Sequence, residues 1–485
     1  MDIVMGIILI AVFLFMMILM YLNKISALLA LPIMAIVFTL VAGVPNIQWQ
    51  EIFDNYNKVK IESVHISQEW QKESEKNRQD GNYVLMISAK WASWQAKLNP
   101  LYYLRDAIAN SDLLKVVLYK GALRLNEAYT LALFGGMLAV FVRKKGIAEA
   151  VIRIAAELAG DRPMMVAIIM MLVCAGLFVT LGGLGAVIMI GTIIFPIMLS
   201  LGIPPLIAAG VMLIGLCAGG NMNPTSWVLY QEALNVDMGT TALFCFKFTI
   251  GYIIFGIIFI YLGLRKKNLR HYWAVQQPFE EIPIKKVSVL AMLTPIVPLL
   301  LILILGWSPF SAFIAGLVWG LVTTWENGQI KTFTQSMFEG AESVMPAVLL
   351  MIGIGMLLNA VTLKTVSEYL QPILKSITPS SKLGYIAIFT ILAPLALYRG
   401  PLNVWGMGLG LATLFLNTGK IAAPAIMGML ISVGAIQGVC DPTNTANVWM
   451  ASFLGVDVLA ITKRLMPYIW ILAAVGLVIA ALSYF

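Results

Sequence analysis

Residues 215–226 read GLCAGGNMNPTS, and residues 438–445 read GVCDPTNT. Both stretches interrupt long apolar runs with small residues, polar residues and a proline. Glycine permits unusual backbone angles, whereas proline suits the first position of a new helix. The two stretches therefore predict helices that break in their middle, one over residues 204–236 and the other over residues 421–455.

The composition indicates that these breaks lie in a membrane. Hydrophobic residues form 60% of the chain and charged residues 12%, and the mean hydropathy is +0.89. Soluble proteins carry roughly 25% charged residues. Apolar runs of about 20 residues, long enough to cross a bilayer as a helix, recur along the sequence. We therefore expect a multi-pass protein of the cell inner (plasma) membrane, surrounded by lipid.

The same composition argues against several other classes of protein. The net charge of +8 comes from basic residues that cluster in connecting segments, so it indicates membrane orientation rather than a nucleic-acid partner. No nucleophile–base pair, zinc-ligand spacing or phosphate-binding loop is evident, so we expect no enzyme, no metal site and no cofactor beyond a coupling ion. Disulfides are not expected either, because the cysteines all lie in apolar segments, at Cys174, Cys217, Cys245 and Cys440.

The two halves of the chain repeat each other at a nearly constant offset. The matches place Gly121 on Gly340, Gly136-Met137-Leu138 on Gly355-Met356-Leu357, and Asn223-Pro224-Thr225 on Asp441-Pro442-Thr443. A single match could arise by chance, but a sustained offset indicates an internal repeat.

Each repeat is interpreted as a pair of scaffold helices, a third helix, a short amphipathic stretch, a two-armed hairpin, a broken helix and a last helix. The third helices are predicted near residues 125–142 and 346–362. If the hairpin is re-entrant, each repeat crosses the membrane an odd number of times, which inverts the second repeat. The predicted fold is an all-α polytopic membrane protein with two inverted repeats, about ten transmembrane helices, two re-entrant hairpins and two broken helices.

These elements divide the chain into segments of distinct role. They are scaffold helices at 1–45 and 288–325, an extracytoplasmic insertion at 46–112, a first repeat core at 113–264 with its hairpin at 163–200, a cytoplasmic linker at 265–287, and a second repeat core at 326–485 with its hairpin at 382–417. Basic residues cluster at 143–145 and within 265–286, which predicts that these connections are cytoplasmic. Both termini are then expected outside.

The breaks and the hairpin tips are the predicted transport site. A half-helix that begins inside the membrane offers free N–H groups and a partial positive charge, which suit an anion. Unwound carbonyls and hydroxyls suit Na⁺ instead. Asn223 is the predicted cap of the first half-helix. The expected substrate-binding residues are Gly183, Asn221, Asn223, Thr225, Ser226, Arg399, Asn403, Thr443, Asn444, Thr445 and Asn447.

Two charged residues have alternative interpretations. Asp441 is either the N-cap of the second half-helix or the coupling group, which exchanges a proton or holds Na⁺ together with Asn223. Arg399 lies at the tip of the second hairpin. In a re-entrant hairpin its guanidinium would lie near the midplane and bind a carboxylate, whereas in fully spanning arms it would be an interfacial anchor.

This layout resembles the ion transporter superfamily. The segments Gly135–Asp237 and Ile431–Leu482 are most similar to the gluconate permease and citrate permease branches. The resemblance implies a homodimer and an elevator mechanism, in which hairpins and broken helices move against the scaffold. The hairpin tips lack the Ser-Asn-Thr motif of the divalent-anion symporters, so the Na⁺ sites of those proteins do not carry over to this chain.

The expected function is secondary active transport. The leading hypothesis is symport, driven by H⁺ or Na⁺, of a small organic anion such as citrate, a dicarboxylate or a gluconate-like sugar acid. The alternative is a cation/proton antiporter that uses Asp441 as the exchange group. Arg399 favours the first hypothesis, because an antiporter of cations has little need of a positive charge at its site.

Overall fold

The computed structural model of the protein describes residues 2–21, 24–43, 56–58, 60, 111–265, 287–326 and 328–485. Within these ranges the chain is helical and contains no β-strand. The predicted insertion at 46–112 and the predicted linker at 265–287 lie almost entirely outside the described residues.

The helices of the first half follow one another in the order that the repeat predicts. They are α1 (Asp2–Tyr21), α2 (Ala27–Val41), a π-helix (Asp112–Lys120), α3 (Asn126–Lys144), α4 (Ile147–Ala159), α5 (Pro163–Phe178), α6 (Gly183–Ser200), α7 (Pro205–Asn221), α8 (Pro224–Leu234) and α9 (Met238–Leu264). We call α5 and α6 the first hairpin, and the junction of α7 with α8 the first break.

A similar order of helices recurs in the second half. It consists of α10 (Val289–Met292), α11 (Val297–Leu305), α12 (Pro309–Thr323), α13 (Gln329–Thr362), α14 (Lys364–Ile377), α15 (Lys382–Leu392), a 3₁₀-helix (Ala393–Arg399), a second π-helix (Val404–Gly408), α16 (Leu409–Asn417), α17 (Ala423–Cys440), α18 (Thr445–Leu454) and α19 (Val458–Tyr484). We call the elements from α15 to α16 the second hairpin, and the junction of α17 with α18 the second break.

The lengths and apolar character of these helices establish a multi-pass membrane protein. Among the described residues, five stretches are long and apolar enough to cross a bilayer, or up to seven if each sharply bent helix pair is counted as one. Several further apolar helices, including α1, α2, α5 and α12, have apolar stretches of only 10–17 residues. The figure of about ten crossings therefore remains a prediction.

α7 and α17 lie at the centre of the molecule, where they contact each other. Both are apolar on every side, as a helix enclosed by other helices must be. Glycines let their neighbours approach closely, since a Cβ on Gly215 would lie 2.6 Å from Cys174 Cβ, and one on Gly428 would lie 2.6 Å from Ala480 Cβ. Each break begins at the C-terminal end of one of these helices, so both breaks lie in the interior.

The element 112–144 packs antiparallel against α13. A Cβ on Gly121 would lie 2.7 Å from Met356 Cα, and a Cβ on Gly136 would lie 2.6 Å from the Gly340 carbonyl oxygen. Residue numbers therefore rise along one element as they fall along the other. α13 begins at Gln329 rather than near residue 346, and Pro346 lies inside it, which membrane helices tolerate.

Candidate functional site

The first break is short and sharply bent. α7 ends at Asn221 and α8 begins at Pro224, and the two axes differ by 54°. Asn223 caps α8, since its side-chain oxygen accepts a hydrogen bond from the Thr225 N–H at 3.0 Å. This confirms the predicted cap. The proline that follows has no N–H to satisfy, so Asn-Pro is a stable way to begin the helix.

Two other polar side chains of the first break donate hydrogen bonds that stabilise its unwound backbone. Asn221 Nδ2 donates to the Cys245 carbonyl at 2.7 Å and to Thr249 Oγ1 at 2.8 Å, which ties the end of α7 to α9. Ser226 Oγ donates to the Gly220 carbonyl at 3.4 Å. These residues are half-buried. Asn221 and Ser226 therefore already have structural partners within the site.

The second break is longer, and its cap differs from the predicted one. α17 ends at Cys440 and α18 begins at Thr445, so the N-cap is Asn444, whose oxygen accepts from the Ala446 N–H at 3.2 Å. Asp441 is not the cap of this half-helix. The Asp-Pro dipeptide forms a turn of its own, closed by a 3.1 Å bond from the Asn444 N–H to the Asp441 carbonyl, and this turn delays the start of α18.

Asp441 is a buried carboxylate, with 2% of its surface exposed. Its Oδ1 accepts hydrogen bonds from the Thr443 N–H at 2.9 Å and from Thr443 Oγ1 at 2.7 Å. Burying a carboxylate without hydrogen-bond partners costs several kcal/mol, and these two donors offset part of that cost. The predicted residue Thr443 thus acts directly on Asp441, whereas Thr445 is exposed at the start of α18.

Two buried side-chain oxygens near the second break have no hydrogen-bond partner among the described residues. They belong to Asn403 and Asn447, which are 1% and 0% exposed. Their amide nitrogens are engaged, Asn403 with the Ala396 carbonyl at 3.1 Å and Asn447 with the Val439 carbonyl at 2.9 Å. An unpaired buried acceptor costs about 1–3 kcal/mol. Both oxygens are available to a bound donor or cation.

The tip of the second hairpin is hydrogen-bonded to the helix that ends at the second break. The Val404 N–H donates to Gln437 Oε1 at 3.0 Å, and Gln437 lies in the last turn of α17. This contact brings Asn403 next to the broken helix. The backbone of Arg399 ends the 3₁₀-helix, while its side chain lies outside the described part of the structure, so its predicted role stays a prediction.

The tip of the first hairpin faces α13 and the scaffold. Gly183 has a φ of +82°, which favours glycine, and a Cβ there would lie 3.6 Å from the Ser343 carbonyl. Thr180 Oγ1 donates to the Pro295 carbonyl at 2.6 Å. A cavity of about 40 Å³ adjoins this tip and is lined by residues that include Gly182, Gly185, Arg143 and Ser343. Gly183 therefore contributes backbone only.

The two breaks lie side by side, and beyond them each half-helix packs against the other half of the chain. A Cβ on Gly438 would lie 2.7 Å from Cys217 Sγ, a few residues before each helix is interrupted. Beyond the breaks, α18 packs against α6 of the first hairpin, and α8 packs against α16 of the second hairpin. Each half-helix thus contacts the hairpin of the other half.

Two charged residues that join neighbouring elements, Arg124 and Glu232, were not among those predicted from the sequence. Glu232 accepts hydrogen bonds from the Glu127 and Ala128 N–H groups, both at 2.9 Å, and thereby caps α3 from α8. Arg124 donates to Asn359 Oδ1 at 2.7 Å. Both lie next to apolar runs, and an ionisable residue near an apolar run is a signal that could have found them. Over the described ranges, no cluster of three or more His, Cys, Asp or Glu side chains is arranged to hold a metal ion.

The fold is similar to that of known transporters, although the sequence is distant from them. No protein family profile and no curated protein matches the sequence. The YdaH transporter of Alcanivorax borkumensis matches with a TM-score of 0.50 at 14% identity, over 72% of this chain and 84% of that one. Neisseria gonorrhoeae MtrF, described as an antimetabolite efflux pump, matches with a TM-score of 0.52 at 14% identity, over 77% of this chain and 82% of that one. Both are transporters rather than enzymes, and the chain shares the fold of membrane transporters.

Proposed function

We propose that this protein is a secondary active transporter that couples H⁺ or Na⁺ to the symport of a small organic anion, such as citrate, a dicarboxylate or a gluconate-like sugar acid. The observation that carries the proposal is the meeting of two interrupted helices at Cys217 and Gly438 in the buried interior. Interrupted helices survive inside a membrane protein where they line a protected polar site.

The contacts between the halves support an inverted repeat. Gly121 and Gly340 are matched by the repeat, as are Gly136 and Gly355. In the structure Gly121 packs against Gly355, and Gly340 packs against Gly136. This exchange of contacts is what a two-fold axis between equivalent elements produces. An axis in the membrane plane is the arrangement of inverted-repeat transporters.

The proposed mechanism is an elevator within a homodimer. Hairpins and broken helices form the moving unit, and residues 1–45 and 288–325 form the scaffold. The Val404 N–H of the second hairpin donates a hydrogen bond to Gln437 Oε1 of the broken helix. This bond supports a joint movement of the two elements. We place both termini and residues 46–112 outside, on the positive-inside distribution of basic residues.

The second break is the proposed coupling site. Asp441 either exchanges a proton or, as a carboxylate, holds Na⁺ together with amide and carbonyl oxygens between Asn223 and Asp441. Asn403 and Asn447 have the spare oxygens that either ligand needs. Na⁺ in such a site is a transported ion rather than a resident metal.

Antiport is the second candidate. The fold similarity to an efflux pump makes export a specific alternative, in which Asp441 carries a proton inward as a cation or another solute leaves. Asp441 would then be the exchange group.

Reconstitution in liposomes tests the symport proposal against proton-driven exchange of the same anions. Labelled citrate, succinate and gluconate are offered under separate inward H⁺ and Na⁺ gradients, and release is measured under the reversed gradients. Symport predicts accumulation of at least one anion with an inward ion gradient. Accumulation only under an outward H⁺ gradient would favour antiport, and no ion-driven movement of any anion would contradict the symport proposal.

A further inference from the structure

Arg124 lies in the turn between the first π-helix and α3, and most of its hydrogen-bonding capacity is unused. Its Nη1 donates to Asn359 Oδ1 at 2.7 Å. A guanidinium has five N–H donors. Among the described residues it has no other acceptor and no carboxylate within ion-pair distance. The side chain is half-buried, so its positive charge is only partly solvated.

This charge lies close to the centre of the two repeats. Gly121 is level with Met356, and Gly136 is level with Gly340, so the midpoint of the contact falls near Ala128 of α3. Arg124 is four residues away, or about 6 Å along a helix. In the proposed inverted repeat this midpoint lies on the axis that relates the two halves.

The surroundings hold the guanidinium in one place. Asn359 Nδ2 donates to the Val116 carbonyl at 2.8 Å, which fixes the amide so that its oxygen faces Arg124. The backbone of the turn is also confined, because Gly121 packs directly against Gly355. A charged group that is already oriented binds a partner at a smaller entropic cost.

Within the described ranges, neither of the nearby acidic residues forms an ion pair with Arg124. Both oxygens of Glu232 are occupied by the N–H groups of Glu127 and Ala128. The Glu127 side chain is exposed and forms no ion pair with the residues that the structure describes. The positive charge therefore remains for a ligand.

Moving parts of the proposed transporter adjoin this position. Leu357, two residues from Asn359, is in close contact with the second hairpin, where a Cβ on Gly410 would lie 2.9 Å from Leu357 Cδ2. α8, which follows the first break, packs against both α3 and α16. A ligand at Arg124 would thus lie near both a hairpin and a half-helix.

We propose that Arg124, oriented by Asn359, binds a carboxylate group of the transported anion through its free N–H donors. The planar guanidinium can place two parallel N–H groups on one carboxylate, which a lysine cannot do. This inference rests on the proposed function, because its ligand is the substrate. The competing explanation is structural: Arg124 would only fasten the turn at 121–125 to α13.

Two substitutions separate these explanations. R124K keeps the charge but loses the paired donors. N359D places a carboxylate against Arg124 and neutralises its charge within the protein, although it also removes the amide donor to the Val116 carbonyl. R153K is the matched control, since Arg153 is an exposed arginine of α4 that lies outside both breaks and both hairpin tips. Binding of citrate, succinate and gluconate to purified protein is measured by ligand-dependent thermal stabilisation, and apparent affinity by uptake into liposomes.

We expect R124K and N359D to weaken the apparent affinity by about tenfold or more, as for the loss of a charge-assisted hydrogen bond, while R153K matches the wild type. If R124K fails to fold, N359D decides, because it retains the arginine. If the wild type binds an anion and N359D binds it equally well, Arg124 is structural and this inference is wrong, while the transporter proposal stands. If the wild type neither binds nor transports any of the three anions, both proposals are wrong.

Discussion

The two breaks occupy equivalent places in the chain but differ in length, bend and charge. At the first break one residue, Met222, separates the end of α7 from the cap of α8, and the helices bend by 54°. At the second break residues 441–443 intervene, yet α17 and α18 together still form one apolar stretch of 32 residues. The longer linker contains its own turn, which lets the second helix continue roughly along the first.

The two breaks also differ in how far their polar groups are hydrogen-bonded within the protein. The first break is capped and held by neutral amides, and Asn221 is tied to α9. The second break contains a buried carboxylate and, next to it, amide oxygens without partners among the described residues. The polar groups of the first break are largely satisfied within the protein, whereas the second break has unpartnered oxygens close by, which the proposed coupling site would use.

The largest expected effect is at Asp441. In D441N the amide oxygen still accepts from Thr443, so the turn and the fold are retained, but the negative charge is lost. We expect substrate exchange in counterflow to persist and gradient-driven accumulation to fall to the level of passive equilibration. D457N is the matched control, because Asp457 is an exposed cap of α19 that accepts from the Leu459 N–H at 3.1 Å. Normal accumulation by D441N would show that Asp441 is not the coupling group.

The next largest effect, on stability, is expected at Glu232 of α8, whose carboxylate caps the start of α3. E232Q keeps only one strong acceptor and loses one of two backbone hydrogen bonds, so we expect a loss of about 1–2 kcal/mol in the free energy of unfolding. The equivalent position in the second half is Ser452, which is exposed, and Pro346 there has no N–H to cap. S452A should therefore leave the unfolding temperature of the detergent-purified protein unchanged. Equal effects of the two substitutions would remove this contrast between the halves.

Removing the caps of the two half-helices tests the breaks directly. N223A and N444A each delete an N-cap, which costs about 1 kcal/mol. Asn444 also donates to the Gly438 carbonyl at 3.3 Å, so we expect N444A to lower the unfolding temperature more than N223A does. The reverse order would mean that the first break, despite its shorter linker, is the more dependent on its cap.

The smallest effect concerns Glu149 of α4, which the repeat matches to Glu368 of α14. Burial raises the pKa of Glu149, and its Oε2 has no partner among the described residues, whereas Glu368 is exposed beside Lys364. A raised pKa means that the folded state holds the proton more tightly. This contribution to stability is therefore complete below the unfolded pKa of about 4.3 and is lost as pH rises through the folded pKa.

We therefore expect E149Q to raise the unfolding temperature at neutral pH and to flatten its decline between acidic and neutral pH. E368Q should change neither. Unfolding curves of both variants across this pH range provide the measurement, and a wild-type pH dependence retained in E149Q would assign it to another group.

Much of the site could be predicted from local sequence. Asn-Pro after a run of glycines specified a cap and a helix start, because both depend on residues adjacent in the chain. The same logic was wrong for Asp441, since an Asp-Pro turn satisfies the carboxylate two residues ahead and moves the cap to Asn444. The two breaks differ in the number of residues between the end of one helix and the cap of the next. The Asn-Pro and Asp-Pro dipeptides alone do not specify this number.

The sequence by itself determined the membrane class and the positions of both breaks, and it predicted the repeat, because hydropathy, glycine and proline act through neighbours along the chain. Only the tertiary structure decided which residues those positions contact. It brought Gly438 against Cys217, placed Glu232 on the start of α3, and set Arg124 against Asn359. Such contacts join residues far apart in sequence, and their geometry depends on how closely the helices pack, which no local pattern encodes.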